Sequence, residues 1–275
     1  MDRYAVMGNP IKHSKSPQIH QLFAKATGQT LSYETILVEK NDFPAAVARF
    51  FQAGGKGLNI TLPFKEEAWH LAECLTERAE LAGAVNTLSF KDGSIYGDNT
   101  DGAGLVTDIL NNCHGQLRGK RILVIGAGGA VRGVLLPLLK EQPIALHLVN
   151  RTASKAALLA EHFQSYGTLR GGGFESLDNH AYDWIINGSS ASLTGDVPPL
   201  PGTVINHQTW CYDLMYGADT TPFNAWAQQH GAANVFDGLG MLVEQAAEAF
   251  YLWRGLRPQT ADVITQLRAA FKNKD

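Results

Sequence analysis

The stretch that most narrows the fold is KRILVIGAGGAVRGVLLPLL, residues 120–139. A run of branched aliphatic residues ends at Ile125. A turn of small residues follows, Gly126, Ala127, Gly128, Gly129 and Ala130, and an apolar helical pattern resumes at Val131. The apolar part approaches the length of a membrane span. Arg132 lies at its centre and glycines interrupt it, so a buried strand, a tight turn and a helix explain it better. That unit belongs to a parallel sheet covered by helices.

The same alternation runs through the rest of the chain. RYAVMG, SYETILV and GLNIT read as strands, with helices between them over SPQIHQLFAKAT and FPAAVARFFQAGG. Ser16 is expected to cap the first of these helices, with Pro17 at its first position and Gly28 past its end. LPF leads into a helix over KEEAWHLAECL, and AVNTLSF and SIYGDN form a hairpin across KDG. The helix GAGLVTDILNN bridges to the second unit, where IALHLV, DWIIN and TWCYDL are further buried strands and LTGDVPPLPGT is a surface loop. Two apolar-faced helices, MLVEQAAEAFYLWRG and one from Gln259 onward, follow with no later strand to cover. They are expected to return to the first unit. The expected architecture is thus α/β with two domains: a mainly parallel domain of residues 1–101 plus 238–275, and a Rossmann-like domain of residues 102–237.

Composition sets limits on partners. The chain has 275 residues, 45% hydrophobic and 18% charged, with a formal net charge of −3. It has ample apolar residues for two cores and no excess positive charge to draw it to nucleic acid or an anionic membrane. Cys74, Cys113 and Cys211 are widely spaced and form neither a disulfide framework nor a zinc motif, so no metal is expected. MDRYAVMGNP lacks the blocks of a signal peptide, which leads us to expect a cytoplasmic protein.

Gly126 and Gly128 have the spacing of the first two glycines of a dinucleotide fingerprint. The third position is Val131, so the strict pattern fails. The strand before the turn and the helix after it still suit a pyrophosphate, because small residues let backbone N–H groups approach it. About twenty residues on, where an acid would bind the ribose of NAD, the sequence reads Asn150, Arg151, Thr152. A guanidinium there pairs with a 2′-phosphate, which an acid would repel, so NADP is favoured over NAD. Thr152 offers a further hydroxyl or a helix cap. Lys155 is either a second phosphate ligand or a solvated charge.

Other polar residues stand out on the substrate side. Ser14 and Ser16, in NPIKHSKSPQIH, flank a helix start and suit a carboxylate, although one N-cap and one loop serine would look the same. Lys65 occupies a first helical turn, where the macrodipole disfavours a cation. It is either turned to Glu66 and Glu67 in solvent or held in a site. Asp101, in GDNTDGAG, reads in isolation as an N-cap. Asn86 in an apolar strand and Gln245 on an apolar helix need hydrogen-bonding partners.

Together the segments GNPIKHSKSP, GLNITLPFKE, LAGAVNTL, GDNTDG, GAGGA, NRT, DLMYGADTTPF and DGLGMLVEQAA, in this order along essentially the whole chain, resemble the shikimate dehydrogenases. The resemblance implies reversible NADPH-dependent reduction of 3-dehydroshikimate to shikimate in aromatic amino acid biosynthesis. By position, Ser14 and Ser16 match donors to the substrate carboxylate, with Tyr216 nearby. Thr61, Lys65, Asn86, Asp101 and Gln245 match residues around the ring hydroxyls and reacting carbon, and Asn59 lies on the same strand end. Lys65 and Asp101 match the catalytic pair.

For the cofactor, the resemblance implies Gly126, Ala127, Gly128, Gly129 and Ala130 at the pyrophosphate, and Asn150, Arg151, Thr152 and Lys155 at the 2′-phosphate. Met215, Gly238 and Met241 match positions near the nicotinamide. NGSSASL departs from the family's loop after the IIN strand, which sets Ser189 apart from the other matches. The expected partner is a small-molecule substrate, with a monomer or homodimer as the working unit. Two rivals stand beside this reading: a quinate/shikimate dehydrogenase that also uses NAD, and a catalytically silent NADP-responsive regulator.

Overall fold

A computed structural model describes residues 1–272, so the last three positions of the expected 238–275 segment lie outside the described residues. Two six-stranded sheets form. The first contains β1 (Asp2–Gly8), β2 (Leu31–Leu37), β3 (Gly55–Ile60), β4 (Cys74–Leu75), β5 (Thr87–Lys91) and β6 (Ser94–Asp98), in the order β2-β1-β3-β5-β6-β4. β1 pairs in parallel with β2 and β3, and β5 is antiparallel to both β3 and β6. The β5–β6 hairpin turns at Asp92 and Gly93, both at positive φ (51° and 85°), as a tight two-residue turn matching strand twist requires. Helices α1 (Ser16–Ala26), α2 (Phe43–Gln52), α3 (Lys65–Leu71) and α4 (Glu77–Ala82) accompany this sheet.

The single helix expected over KEEAWHLAECL breaks. Its N–H and C=O groups find partners in the sheet after Leu71: Glu73 N–H donates to Ile95 O, and Cys74 and Leu75 pair with Tyr96 and Gly97. Thr76 then caps α4, accepting from Ala79 N–H, and Gly83 ends it at φ 59°. Ser16 does not cap α1. It is the first helical residue, Lys15 holds the N-cap position, and the Ser14 hydroxyl accepts the Ser16 N–H at 3.3 Å.

α5 (Asp101–Thr107) continues through a π-turn at Asp108–Asn112 and leads to the second sheet. That sheet holds β7 (Arg121–Ile125), β8 (Ala145–Val149), β9 (Leu169–Gly172), β10 (Trp184–Asn187), β11 (Trp210–Asp213) and β12 (Asn234–Asp237). All its pairs are parallel, in the order β12-β11-β10-β7-β8-β9. Its helices are α6 (Gly129–Lys140), α7 (Ala153–Phe163) and α8 (Pro222–Gln229). The strand order reverses between β7 and β10, the place where a parallel sheet opens a ligand crevice at its carboxyl end.

The last two helices, α9 (Leu239–Arg254) and α10 (Ala261–Lys272), pack back on α1. Val243, Phe250, Val263 and Leu267 share one core cluster with Ile19 and Phe23, and Trp253 donates to Leu88 O of the first sheet at 3.1 Å. α5 is wedged between α6 and α9 because its glycines allow close approach. A Cβ on Gly102 would lie 2.4 Å from Gly133 O, and one on Gly104 would lie 2.6 Å from Gln245 N. That second contact sets Gln245 beside the start of α5, where the candidate site lies.

Candidate active site

The carboxyl ends of β1 and β3, the start of β5 and the first turns of α1, α3 and α5 surround a cavity of ≈ 320 Å³. Ser14, Ser16, Asn59, Thr61, Lys65, Asn86, Asp101, Tyr216 and Gln245 all line it, as do Gly238 and Met241. Every residue matched above to the substrate side is therefore in one cavity, drawn from segments as far apart as Ser14 and Gln245. Pro10, Ile11, His13, Lys15, Leu214 and Leu242 also line it and escaped the sequence reading. His13 and Lys15 could have been suspected, since they interleave with the two serines in KHSKS.

At the floor, Lys65 Nζ lies 2.6 Å from Asp101 Oδ2, with the lysine side chain 23% and the aspartate side chain 10% exposed. Lys65 is the first residue of α3, and its ammonium turns to this carboxylate rather than to Glu66 or Glu67. Its backbone is anchored where Val85 N–H donates to Lys65 O at 2.8 Å. Asp101 is also a first helical residue, so its carboxylate is not the N-cap expected from GDNTDG. Thr100 holds that position without a side-chain cap bond.

The other oxygen of Asp101 is held by Asn86, whose Nδ2 donates to Oδ1 at 2.8 Å and also reaches Gln245 Oε1 at 3.3 Å. Asn86 is 3% exposed, and its Oδ1 accepts the Thr100 N–H at 2.9 Å. Asn59 accepts from the Tyr33 hydroxyl at 2.7 Å and donates to Asn86 O and the Thr87 hydroxyl at 3.3 and 3.2 Å. Both buried amides thus have partners, as burial demands. Below them His20 is buried and stacked on Tyr33 with ring centroids 4.2 Å apart. Burial drives its pKa down to about 3, outweighing the side-chain oxygen of Asn59, which as an acceptor of the ring N–H raises it, so the ring is neutral.

A structural pair of different character lies behind the dyad. Arg78 clamps Asp98 through two hydrogen bonds of 2.6 and 2.7 Å and reaches Glu248 of α9 at 3.0 Å. Burial pulls the Arg78 pKa down, but the contacts and charges of Asp98 and Glu248 outweigh it and hold it above its ordinary value. The clamp ties β6 to α9 immediately before the segment carrying Asp101.

On the nucleotide side, Gly126 has φ 110° and its N–H donates to Val149 O at 2.8 Å. A Cβ there would meet Gly188 C and O at 3.1 Å and Ser189 N at 3.2 Å, so the turns after β7 and β10 touch at the switch point. Gly128 is the N-cap of α6 with no side-chain cap bond, and a Cβ on Gly128 or Gly129 would find open space. The first N–H groups of α6 therefore face an open crevice, which a pyrophosphate fits. Ala127 is half-buried and Ala130 exposed at the same turn.

Asn150 follows β8, and its Nδ2 donates to Thr152 O at 3.1 Å. Thr152 occupies the N-cap of α7 but makes no side-chain cap bond, so its hydroxyl is available. Arg151 and Lys155 are exposed on the same turn, without an ion pair among the described residues. Two unpaired cations and a hydroxyl suit a 2′-phosphate. Ser189 is half-buried and its hydroxyl donates to Asn187 Oδ1 at 2.7 Å, away from the cavity lining. Met215 is half-buried too, outside the lining. Its carbonyl accepts the Gly238 N–H at 3.0 Å, and neighbouring Leu214 lines the cavity in its place.

Among the described residues no group of three or more His, Cys, Asp or Glu side chains is placed to hold a metal ion, and no described helix is long and apolar enough to cross a membrane. The chain matches three protein-family profiles: "Shikimate dehydrogenase substrate binding domain" over residues 6–88, "Shikimate / quinate 5-dehydrogenase" over 108–192 and "Shikimate 5'-dehydrogenase C-terminal domain" over 238–268. It is 55% identical over 274 residues to a shikimate dehydrogenase (NADP(+)) of Cellvibrio japonicus, covering 99% of each chain. It is 56% identical over 268 residues to the Hahella chejuensis protein of the same name, covering 98% of this chain and 99% of that one. Its fold superposes with a TM-score of 0.87 on the shikimate 5-dehydrogenase of Thermus thermophilus in complex with NADP(H) and shikimate, at 33% identity, covering 98% and 100% of the chains.

Proposed function

The chain belongs to the shikimate dehydrogenase family, and from that premise we propose how its residues divide the work of reducing 3-dehydroshikimate to shikimate with NADPH. The enzyme is an NADP-dependent oxidoreductase of aromatic amino acid biosynthesis. The observation that carries the residue assignment is the 2.6 Å contact of Lys65 with Asp101 inside the cavity that also holds Ser14, Ser16 and Gln245.

Ser14 and Ser16, beside the start of α1, receive the substrate carboxylate, and Tyr216 lies on the same cavity wall. Thr61, Asn86, Gln245 and Asp101 bind ring hydroxyls, with Asn59 holding Asn86 from behind. When bound, NADPH supplies the hydride to the carbonyl carbon. Lys65 stabilises the negative charge that develops on the carbonyl oxygen and transfers a proton to it from Nζ. Asp101 keeps the ammonium in place for that transfer, and proton exchange with water restores the lysine. In the oxidative direction the same amine takes the hydroxyl proton. The turn Gly126–Ala130 and the N-terminus of α6 would hold the pyrophosphate. Asn150, Arg151, Thr152 and Lys155 would hold the 2′-phosphate, with Ser189, Met215, Gly238 and Met241 toward the nicotinamide.

We place the substrate domain at residues 1–101 plus 238–275 and the nucleotide domain at 102–237, a division supported by the return of α9 and α10 to α1. We place the enzyme as a monomer or homodimer acting in the cytoplasm on a small-molecule substrate. The relatives are named for NADP(+), which leaves the dual-cofactor quinate reading and the silent regulatory reading without support. Steady-state oxidation of shikimate and of quinate, each with NADP and NAD, tests the proposal. Efficient turnover only of shikimate with NADP is expected, while NADPH binding with no shikimate-dependent absorbance change would overturn it.

A further inference from the structure

We propose that Thr87 and Tyr33 are positioning residues for the Lys65–Asp101 pair, acting through a one-way chain of buried hydrogen bonds. This inference rests on the catalytic reading of that pair. Neither residue lines the cavity, and neither was suspected from sequence. The register of the first sheet sets Asn59 of β3 directly opposite Thr87 of β5, at the sheet end that faces the dyad.

The direction of the chain follows from its fixed ends. Thr100 N–H can only donate, and it reaches Asn86 Oδ1 at 2.9 Å. That oxygen is therefore the acceptor of the amide, and Nδ2 is the group donating to Asp101 at 2.8 Å. Likewise Asn86 O can only accept, and Asn59 Nδ2 reaches it at 3.3 Å. Asn59 Oδ1 consequently accepts from the Tyr33 hydroxyl at 2.7 Å. Asn59 Nδ2 also donates to Thr87 Oγ1 at 3.2 Å, so the Thr87 proton is directed to Asn86 Oδ1 at 2.9 Å. Each donor from Tyr33 through Asn59, Thr87 and Asn86 thus points toward Asp101, whose second oxygen takes the Lys65 ammonium.

The arrangement prevents one specific failure. An Asn86 amide turned over would set its oxygen against the Asp101 carboxylate, acceptor against acceptor, and free that carboxylate to move off Lys65. Two hydroxyls and one N–H now hold the amide oxygen. With Thr87 exposed only 1%, no bulk water replaces its hydroxyl when it is removed.

The test is Thr87→Val, nearly the same shape without the hydroxyl, with Thr87→Ser as its conservative counterpart. Thr87→Val should lower kcat about tenfold while shikimate KM and NADPH affinity change by less than about threefold, and Thr87→Ser should recover kcat to within about twofold. In a Lys65→Ala background, Thr87→Val should cost less than about twofold, because the dyad it serves is gone. Unchanged kcat in Thr87→Val, equal damage by Ser and Val, or the full loss persisting in the Lys65→Ala background would each overturn the inference. Should Thr87→Val fail to fold, Tyr33→Phe carries the test: kcat should fall about threefold with NADPH affinity kept, and unchanged kcat overturns it. Lys65→Ala with undiminished kcat would instead sink the catalytic reading, a result no Thr87 variant can produce.

Discussion

Lys65 and Asp101 each occupy the first position of a helix, α3 and α5, and their side chains meet at 2.6 Å between the two. A cation at a helix start is opposed by the macrodipole and an anion is favoured, so the aspartate at the neighbouring helix start offsets what α3 costs the lysine. Lys65→Ala should therefore remove a group needed in the transition state, lowering kcat ~100-fold or more with little change in shikimate KM. Steady-state kinetics at saturating NADPH checks this, and a KM effect with intact kcat would make Lys65 a binding residue only.

Arg151 is exposed on the turn after β8, and no ion pair among the described residues neutralises it. Its substitution should leave the fold untouched and act on the cofactor alone. Arg151→Ala should weaken NADP binding relative to NAD by roughly 1.5–3 kcal/mol, the range for a lost charged hydrogen-bonding partner. Titration of both cofactors by fluorescence measures the difference, and equal losses would refute a 2′-phosphate role.

Much of this was legible in the chain, for reasons that differ by element. β7 and its turn were plain because an apolar run meets glycines whose absence of a Cβ the geometry uses, at Gly126 above all. β4, β9 and β12 escaped notice. β4 is only two residues long, and β9 and β12, though as long as the legible β10 and β11, lie at the sheet edge without their buried apolar run, so they exist because a neighbouring strand offers an edge. Lys65 was conspicuous because it conflicts with its helix position. Asp101 was not, since an aspartate at a helix start is ordinary until a lysine from another helix approaches it. Thr87 and Tyr33 were silent, because the direction of their hydrogen bonds depends on strand register and on partners far along the chain.

Gly126→Ala should damage the nucleotide turn specifically. The position has φ 110°, strained for any L side chain, and the added Cβ would press on the Gly188 carbonyl at 3.1 Å. The two turns at the switch point would have to part. Destabilisation of about 1–3 kcal/mol is expected, with NADP affinity reduced at least about tenfold, since the open face of the turn is displaced with it. Thermal unfolding and NADP titration on the same preparation check both, and unaltered cofactor affinity would dissociate the turn from the nucleotide.

The neutral His20 makes stability fall in mild acid. Its folded pKa of about 3 lies below the ordinary 6.5, because burial disfavours the charged ring. The unfolded chain therefore binds a proton that the folded chain refuses, and the stabilisation present above pH 6.5 is lost progressively as pH falls toward 3. His147, held at about 4 by burial and by Arg170, adds to the same trend, so removing His20 alone reduces the slope without abolishing it. His20→Phe suits the surroundings, where Phe23, Tyr33, Phe250 and Trp253 form an aromatic box and the ring Nε2 has no hydrogen-bond partner among the described residues. The informative quantity is the drop in unfolding free energy between pH 7.5 and pH 5 rather than stability at either pH, because the loss of the Asn59 contact shifts both alike. That drop should shrink by about 1–2 kcal/mol, each pH step below 6.5 being worth at most about 1.4 kcal/mol per group. Urea unfolding at the two pH values measures it, and an undiminished drop would show that His20 is protonated in the folded enzyme or shielded from titration in the unfolded one.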